Sequence, residues 1–120
     1  MRESIKYELI IVIVDKGMAD DVIDSAREGG AEGATVLYGR GSGIHEKAKF
    51  FGIIIEPEKE IVLIMVEEQI RDDVLEAVDK GIDLGKPGNG VAFVLDISKV
   101  TGISHIHKIR KTEDAEEKKQ

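Results

Sequence analysis

The segment Gly85–Gly90, GKPGNG, combines three glycines, a lysine and an amide side chain directly before an apolar run. Closely spaced glycines let a backbone approach a ligand, so that N–H groups donate to anionic oxygens, and a lysine adds positive charge. The same composition is typical of a turn, in which glycines adopt positive φ and a proline stiffens the bend. Spacing alone favours the turn, and both hypotheses stay open: a phosphate-binding loop, or a plain connection.

The surroundings of this segment exclude two common phosphate-binding motifs. A P-loop needs four residues between its glycines, then Gly-Lys-Ser/Thr and a helix. Here a helical pattern precedes the segment and a strand pattern follows it, so no helix N-terminus follows to face an anion. A dinucleotide-binding Rossmann motif is excluded for the same reason.

An internal repeat supplies the elements that position this segment. LIIVIVDKGMADDVIDSAREGG, from Leu9, resembles IVLIMVEEQIRDDVLEAVDKGI, from Ile61. Each unit predicts a strand, an amphipathic charged helix and a second strand, ATVLYG in one unit and VAFVLDI in the other. Gly29-Gly30 and Gly81 are predicted to end the two helices.

Two joined βαβ units predict a ferredoxin-like βαββαβ fold of class α+β. Its four-stranded antiparallel sheet would carry both helices on one face. The runs LIIVIV and IVLIMV do not alternate apolar with polar residues, although two helices cover only one face. Each large aliphatic side chain left in water forgoes about 1.5–3 kcal/mol. The second face is therefore predicted to pack against another copy of the chain.

Length and composition narrow the class of protein. The 120 residues fit one domain, and the absence of cysteine excludes disulfides, thiolate metal sites and a cysteine nucleophile. A net charge of −7 argues against a nucleic-acid partner, whose phosphates require clustered cations. The apolar run Leu9–Val14 is too short to span a bilayer, and a cytoplasmic location is expected.

The predicted domain covers residues 1–107. Residues 39–58 form an insertion between the two units, in which FFGIII is either a short strand or a loop arm. Residues 108–120 are charged and poor in apolar side chains, and we expect a disordered tail there.

Over about residues 5 to 104 the chain resembles the PII family of signal-transduction proteins. The resemblance rests on the repeated βαβ unit, on GATVLYGRG before the insertion and on GKPGNGVAFVLDI after the second helix. In the family, Gly-Arg opens a large loop, the T-loop, and Gly-Lys-x-Gly-x-Gly forms a second loop, the B-loop. The order and spacing of these pieces make the resemblance specific.

The resemblance implies a homotrimer that binds ATP or ADP in clefts between subunits, with the B-loop along the nucleotide. By position, the residues implied for nucleotide binding are Thr35 at the adenine, Arg40 at a phosphate, and Gly85, Lys86, Gly88, Asn89 and Gly90 along the phosphates.

The chain departs from the family pattern at three phosphate-binding cations. Val91, Gly102 and Ser104 stand where the family has a lysine and two arginines. Each lost cation removes a charge-assisted bond of about 1.5–3 kcal/mol, unless Lys108 or Arg110 substitutes from a shifted position. The expected ligand is therefore a weakly bound ATP, or a less charged ADP, AMP or related small anion.

The family also implies a mode of signalling. The ligand would order the 39–58 insertion, which then docks on a partner protein, in the family often a membrane transporter or a metabolic enzyme. Gly39, Gly41 and Gly43 open the insertion, and we expect it to be mobile without ligand. No pattern supplies a nucleophile or a poised base, so an enzyme is not expected.

A metal-binding protein is the alternative. His105 and His107 would share one face of an extended segment, and symmetry copies in a trimer would complete a zinc or copper site. The copper-tolerance proteins share this trimeric ferredoxin-like architecture. Exposed polar residues near a terminus are the simpler interpretation of both histidines, and His45 is interpreted as a surface residue.

Overall fold

A computed structural model describes residues 5–43, 48–50 and 53–103. Within these ranges the elements, in chain order, are β1 Tyr7–Asp15, α1 Ala19–Glu28, β2 Thr35–Arg40, β3 Ala48–Phe50, β4 Ile53–Ile55, β5 Glu58–Glu67, α2 Arg71–Ile82 and β6 Val91–Asp96. His45, His105, His107 and the predicted tail at 108–120 lie outside the described residues.

Both helices carry charges that complement their dipoles. Acidic residues occupy each first turn, and a basic residue, Arg27 or Lys80, lies in each last turn. The prediction that Gly81 ends the second helix is wrong. Gly81 lies inside α2, which continues to Ile82 and ends where Asp83 adopts a left-handed conformation with φ of 53°.

Position 81 requires glycine because α1 packs closely against it, not because it caps the helix. A Cβ atom there would lie 2.7 Å from the Cβ of Ser25 on α1. At the other end of the contact, a Cβ on Gly29 would lie 2.7 Å from the Cα of Val74 and 2.9 Å from the Cβ of Ala77. The two helices can therefore approach each other only through glycine at both positions.

Strands β1, β2, β5 and β6 form one antiparallel sheet in the order β2-β5-β1-β6. Ile11 and Leu63 face each other at the centre of its two inner strands. Both helices pack on one face, where alternate strand residues are buried with the inner helix residues. This core consists of Ile10, Val12, Val14, Ala19, Val22, Ala26, Ala31, Val62, Ile64, Val66, Val74, Val78 and Ile82. The predicted ferredoxin-like α+β fold is confirmed.

The opposite face of the sheet, here the open face, is also apolar. Its inner strands contribute Leu9, Ile11, Ile13, Ile61, Leu63 and Met65, all half-buried. Its outer strands contribute Leu37, Val91, Phe93 and Leu95, which are 39–50% exposed. No element in the described ranges covers this face, as the unalternating strands predicted.

Part of the insertion forms a second, two-stranded sheet. Strands β3 and β4 pair antiparallel, with Lys49 opposite Ile54. Of the two interpretations of FFGIII, the strand applies to Ile53–Ile55. The mobility expected of residues 39–58 stays a prediction.

Candidate functional site

The loop between α2 and β6 is tied to the end of α2. Its backbone closes two turns, in which the Lys86 N–H donates to Asp83 O and the Asn89 N–H donates to Lys86 O. The Asn89 side-chain amide donates to the carbonyl oxygens of Ile82 and Asp83 at 3.0 and 2.9 Å. These carbonyls lack helical partners, so Asn89 stabilises the helix end in this conformation.

The three glycines of the loop have different reasons to be glycine. Gly88 and Gly90 adopt φ of 88° and 145°, which other L-residues rarely adopt. A Cβ on Gly90 would also lie 2.6 Å from the carbonyl oxygen of Ile13. Gly85 has neither constraint, since a Cβ there would meet nothing within 4 Å. The backbone therefore requires two of the three glycines.

The repeat shows how much loop the fold itself requires. Gly29 and Gly81 are equivalent positions in the two units, and so are Ile11 and Leu63. On the outer strands, Phe93 pairs with Ile11 and Thr35 pairs with Leu63, so Phe93 and Thr35 are also equivalent. The connection from Gly29 to Thr35 is shorter than that from Gly81 to Phe93 by the length of the segment GKPGNG. One helix-to-strand connection thus forms without such a segment, so the segment is not needed for the fold alone.

The glycine loop borders a cavity of about 450 Å³ at one end of the open face, here the glycine-loop cavity. Its lining consists of Ile13, Gly39, Arg40, Gly41, Ser42, Gly43, Lys59, Ile61, Gly88, Gly90 and Val91. The structure thus brings together three residues that sequence implied for phosphate binding: Arg40, Gly88 and Gly90. Lys86 and Asn89 are not among the described residues that line it.

Lys59 is a cation of this cavity that sequence reasoning missed. It lies at the start of β5, between Gly39 of β2 and Asp15 of β1 in the sheet register. Its side chain is only 10% exposed, and its Nζ atom lies 2.6 Å from Oδ1 of Asp15. A lysine two residues before the apolar run at Ile61 was the available signal, but its partners in the sheet lie far away in sequence.

The base of the insertion is fastened to the turn between β1 and α1. Lys16 and Glu58 form an ion pair of 2.8 Å, and the Lys16 N–H also donates to the Glu58 carbonyl. The hydrogen bond and charge of Lys16 lower the pKa of Glu58, and Glu58 in turn raises the pKa of Lys16. Both groups are therefore charged at neutral pH, and this end of the insertion is held to the domain.

Thr35 lies in a second cavity of about 530 Å³, here the Thr35 cavity, at the other end of the sheet. Its lining is mostly apolar and includes Leu9, Leu63 and Met65 of the open face. Gly39 lies four positions after Thr35 along β2, which is about 13 Å of strand. One chain therefore presents the residues implied for adenine and those implied for phosphate at opposite ends.

Gly85 borders a different groove, between α2 and β6. Asp72, Glu76 and Asp79 line that groove, and no lysine or arginine is among its described lining residues. In this conformation a phosphate near Gly85 would be repelled by these carboxylates. The charge distribution thus favours anion binding on the Gly88–Gly90 side of the loop.

The metal hypothesis gains no support from the described part of the chain. Its residues include no group of three or more histidine, aspartate or glutamate side chains placed to hold a metal ion. His105 and His107 lie beyond Ile103, where the description ends, and a site there stays a prediction. No helix among the described residues is both long and apolar enough to cross a membrane.

The fold and the glycine-loop cavity define a small ferredoxin-like protein with an anion-compatible cavity at the base of a long insertion. The family model described as nitrogen regulatory protein P-II matches residues 7–107. The chain therefore belongs to the PII family, a family of regulatory proteins. A search of the curated proteins gave no match.

Proposed function

We propose that this PII family member is a regulatory protein that binds an adenine nucleotide, or a related small anionic effector, between the subunits of a homotrimer. The observation that carries the proposal is the glycine-loop cavity. Arg40, Lys59 and the backbone of Gly88 and Gly90 line one space of about 450 Å³ there. That volume lies within the range of small-molecule sites.

The open face supports self-association. Leu37, Val91, Phe93 and Leu95 lie on it and are each at least 39% exposed in one chain. Stable monomers rarely expose so continuous an apolar surface. Burial of each such side chain against a second copy contributes about 1.5–3 kcal/mol at most.

The positions of the two cavities favour a site shared by two subunits. A nucleotide needs an apolar slot for its base and donors for its phosphates, and these lie at opposite ends of the sheet. A neighbouring subunit that places its Thr35 cavity against the glycine-loop cavity would supply both parts. The open face, which joins the two cavities, would form the contact.

The cations of the cavity favour a ligand of modest charge. Arg40 and Lys59 are present, whereas Val91 stands where the family has a phosphate-binding lysine. The two arginines that the family has further along are replaced by Gly102 and Ser104. We therefore propose AMP or ADP as better ligands than ATP.

The insertion is the proposed route to a partner protein. Gly39–Gly43 line the cavity, and β3 and β4 are the next described elements of the insertion. A ligand that bridges Arg40 and the glycine loop would fix the angle at which the insertion leaves the domain. The partner would be a membrane transporter or a metabolic enzyme, as is common in the family.

Calorimetry with ATP, ADP and AMP tests the proposal. Arg40→Ala should weaken nucleotide binding by about tenfold or more, because a hydrogen bond to a charged group is lost. Lys80→Ala is a matched control, since Lys80 is an exposed cation on the outside of α2. Lys86→Ala distinguishes the sequence hypothesis: a loss equal to that of Arg40→Ala would place the phosphates on the other side of the loop. If the wild-type chain binds none of the three nucleotides, the proposed ligand class is wrong.

A further inference from the structure

A carboxylate already contacts the buried cation of the glycine-loop cavity. Asp15 and Lys59 are direct partners in the register of β1 and β5, and their side chains meet at 2.6 Å. Lys59 is 10% exposed and Asp15 is 54% exposed. The lysine thus lies within the wall, with the aspartate at its solvent side.

The other carboxylates at this end of the sheet have different partners. Glu58 pairs with Lys16, and Glu60 accepts the backbone N–H groups of Gly17 and Ala19. Arg40 makes no ion pair with any residue that the structure describes. Asp15 therefore partly neutralises Lys59, while Glu58, the strand partner of Arg40, interacts electrostatically with Arg40.

This arrangement has a consequence for any anion that enters. An incoming phosphate must share Lys59 with Asp15, and Asp15 repels the ligand in proportion to the ligand's negative charge. Asp15 is 54% exposed, so water and salt screen part of this repulsion. The penalty rises from AMP to ADP to ATP.

We propose that Asp15 is a specificity-determining residue of the glycine-loop cavity, which selects small anions of low charge over polyphosphates. The proposal rests on the proposed function, because it assumes that an anionic ligand occupies this cavity. It adds the chemical class of that ligand and the residue that sets it. Asp15 competes with the ligand for Lys59, so its effect on affinity depends on the charge of the ligand rather than on its shape.

Calorimetric titration of wild type and Asp15→Asn with ATP, ADP and AMP in one buffer tests the proposal. The asparagine keeps the size and a hydrogen-bonding oxygen but removes the charge. We expect affinity for ATP to rise about tenfold or more, affinity for ADP to rise less, and affinity for AMP to change least. Added salt should reduce the differences. Equal gains for all three nucleotides would overturn the proposal.

Glu76→Gln is the matched control for net charge. Glu76 pairs with the exposed Lys80 on α2 and lines the groove on the Gly85 side of the loop rather than the glycine-loop cavity, and its replacement changes the net charge of the chain by the same amount. If Glu76→Gln raises ATP affinity as much as Asp15→Asn does, the effect belongs to the whole chain and the proposal is wrong. Asp15→Glu, which keeps the charge, should keep the preference for AMP.

The outcomes separate this proposal from the proposed function. If wild type binds AMP or ADP and Asp15→Asn leaves the ratios of the three affinities unchanged, Asp15 does not set specificity and the nucleotide site stands. If neither chain binds any nucleotide, both proposals fall. Thermal unfolding of each variant shows whether a lost affinity reflects a lost fold.

Discussion

The Glu60 carboxylate accepts the backbone N–H of Ala19, the first residue of α1, at 2.9 Å. The same oxygen accepts the Gly17 N–H at 2.8 Å. Met18 at the cap position makes no side-chain capping bond, so a residue from β5 caps this helix from a distance. The cap also joins the strand that leaves the insertion to the first helix.

Removal of this distant cap should destabilise the protein. Glu60 is 8% exposed, and Glu60→Ala leaves two backbone donors without a partner, at a cost of about 1–3 kcal/mol. Glu60→Gln keeps an acceptor oxygen and should lose less. Chemical denaturation measures both, and Glu76→Ala on the exposed side of α2 serves as the control. An unchanged midpoint for Glu60→Ala would show that water replaces the cap.

Gly81→Ala should destabilise the protein, although alanine favours helices over glycine by about 1 kcal/mol. The new Cβ would lie 2.7 Å from the Cβ of Ser25, which a side-chain rotation cannot relieve. The helices must shift, at a cost of about 1–3 kcal/mol. Gly85→Ala, whose Cβ would meet nothing within 4 Å, is the control and should leave thermal stability nearly unchanged. A stabilised Gly81→Ala would contradict the close helix contact.

Asn89 has two possible roles, and substitution separates them. Asn89→Ala removes the donors to the Ile82 and Asp83 carbonyls and should lower the free energy of unfolding by about 1–2 kcal/mol. Asn89→Asp should lower it more, since a carboxylate is repelled by the helix C-terminus. If Asn89→Ala instead leaves stability intact and weakens nucleotide binding, the residue contacts the ligand, as the family resemblance implies.

The Lys16–Glu58 ion pair should make the free energy of unfolding depend on pH. Lys16 holds the pKa of Glu58 below its ordinary value of 4.5, so the pair stabilises the fold above that pH and is lost as pH falls through the lowered pKa. Glu58 raises the pKa of Lys16 above 10.5, so that contribution is lost only as pH rises through the raised pKa. In an NMR titration, Lys16→Met should raise the pKa of Glu58. Lys80→Met should raise the pKa of Glu76 and leave that of Glu58 unchanged, because Lys80 is the ion-pair partner of Glu76.

If the chain self-associates through the open face, a charge placed on that face should lower the molecular mass of the protein in solution. Phe93→Asp places a charge at the centre of β6 on that face and should convert the proposed trimer into monomers in light scattering. Tyr38→Asp is the control, because Tyr38 is 75% exposed on the helix side of β2. A wild-type chain that is monomeric at micromolar concentration would contradict the trimer.

The fold was predictable because the sequence repeats it. The two similar units and their apolar runs predicted the strands, the helices and the apolar second face. The role of Gly81 was not predictable, because a close helix contact depends on Ser25, which lies in the other unit. Local sequence shows only that a glycine occurs near the end of a helical pattern.

The site was predictable in part, for a related reason. Arg40, Gly88 and Gly90 belong to recognisable motifs, and the structure brings them to one cavity. Asp15 and Lys59 carry no motif and meet only because β1 and β5 pair antiparallel. The pairing of Asp15 with Lys59 depends on the register of β1 and β5, so it could not be predicted before that register was known.

The register of the two central strands gives the chain an internal two-fold axis. Ile11 and Leu63 are equivalent in the repeat and face each other, so a rotation about this pair exchanges the two units. The helix contact obeys the same rotation, because Gly29 meets Ala77 and Gly81 meets Ser25, the equivalent of Ala77. The domain is thus built like a dimer whose two halves are joined in one chain.

The same rotation exchanges the two cavities. It carries Tyr7 of the Thr35 cavity onto Lys59 of the glycine-loop cavity, and Glu67 onto Asp15. The two ends of the domain are therefore copies of one slot, in which one copy has an aromatic ring where the other has a cation. A nucleotide has the same polarity, with a flat ring at one end and charge at the other. A closed ring of such domains, each set head to tail against the next, would join the two unlike copies at every contact.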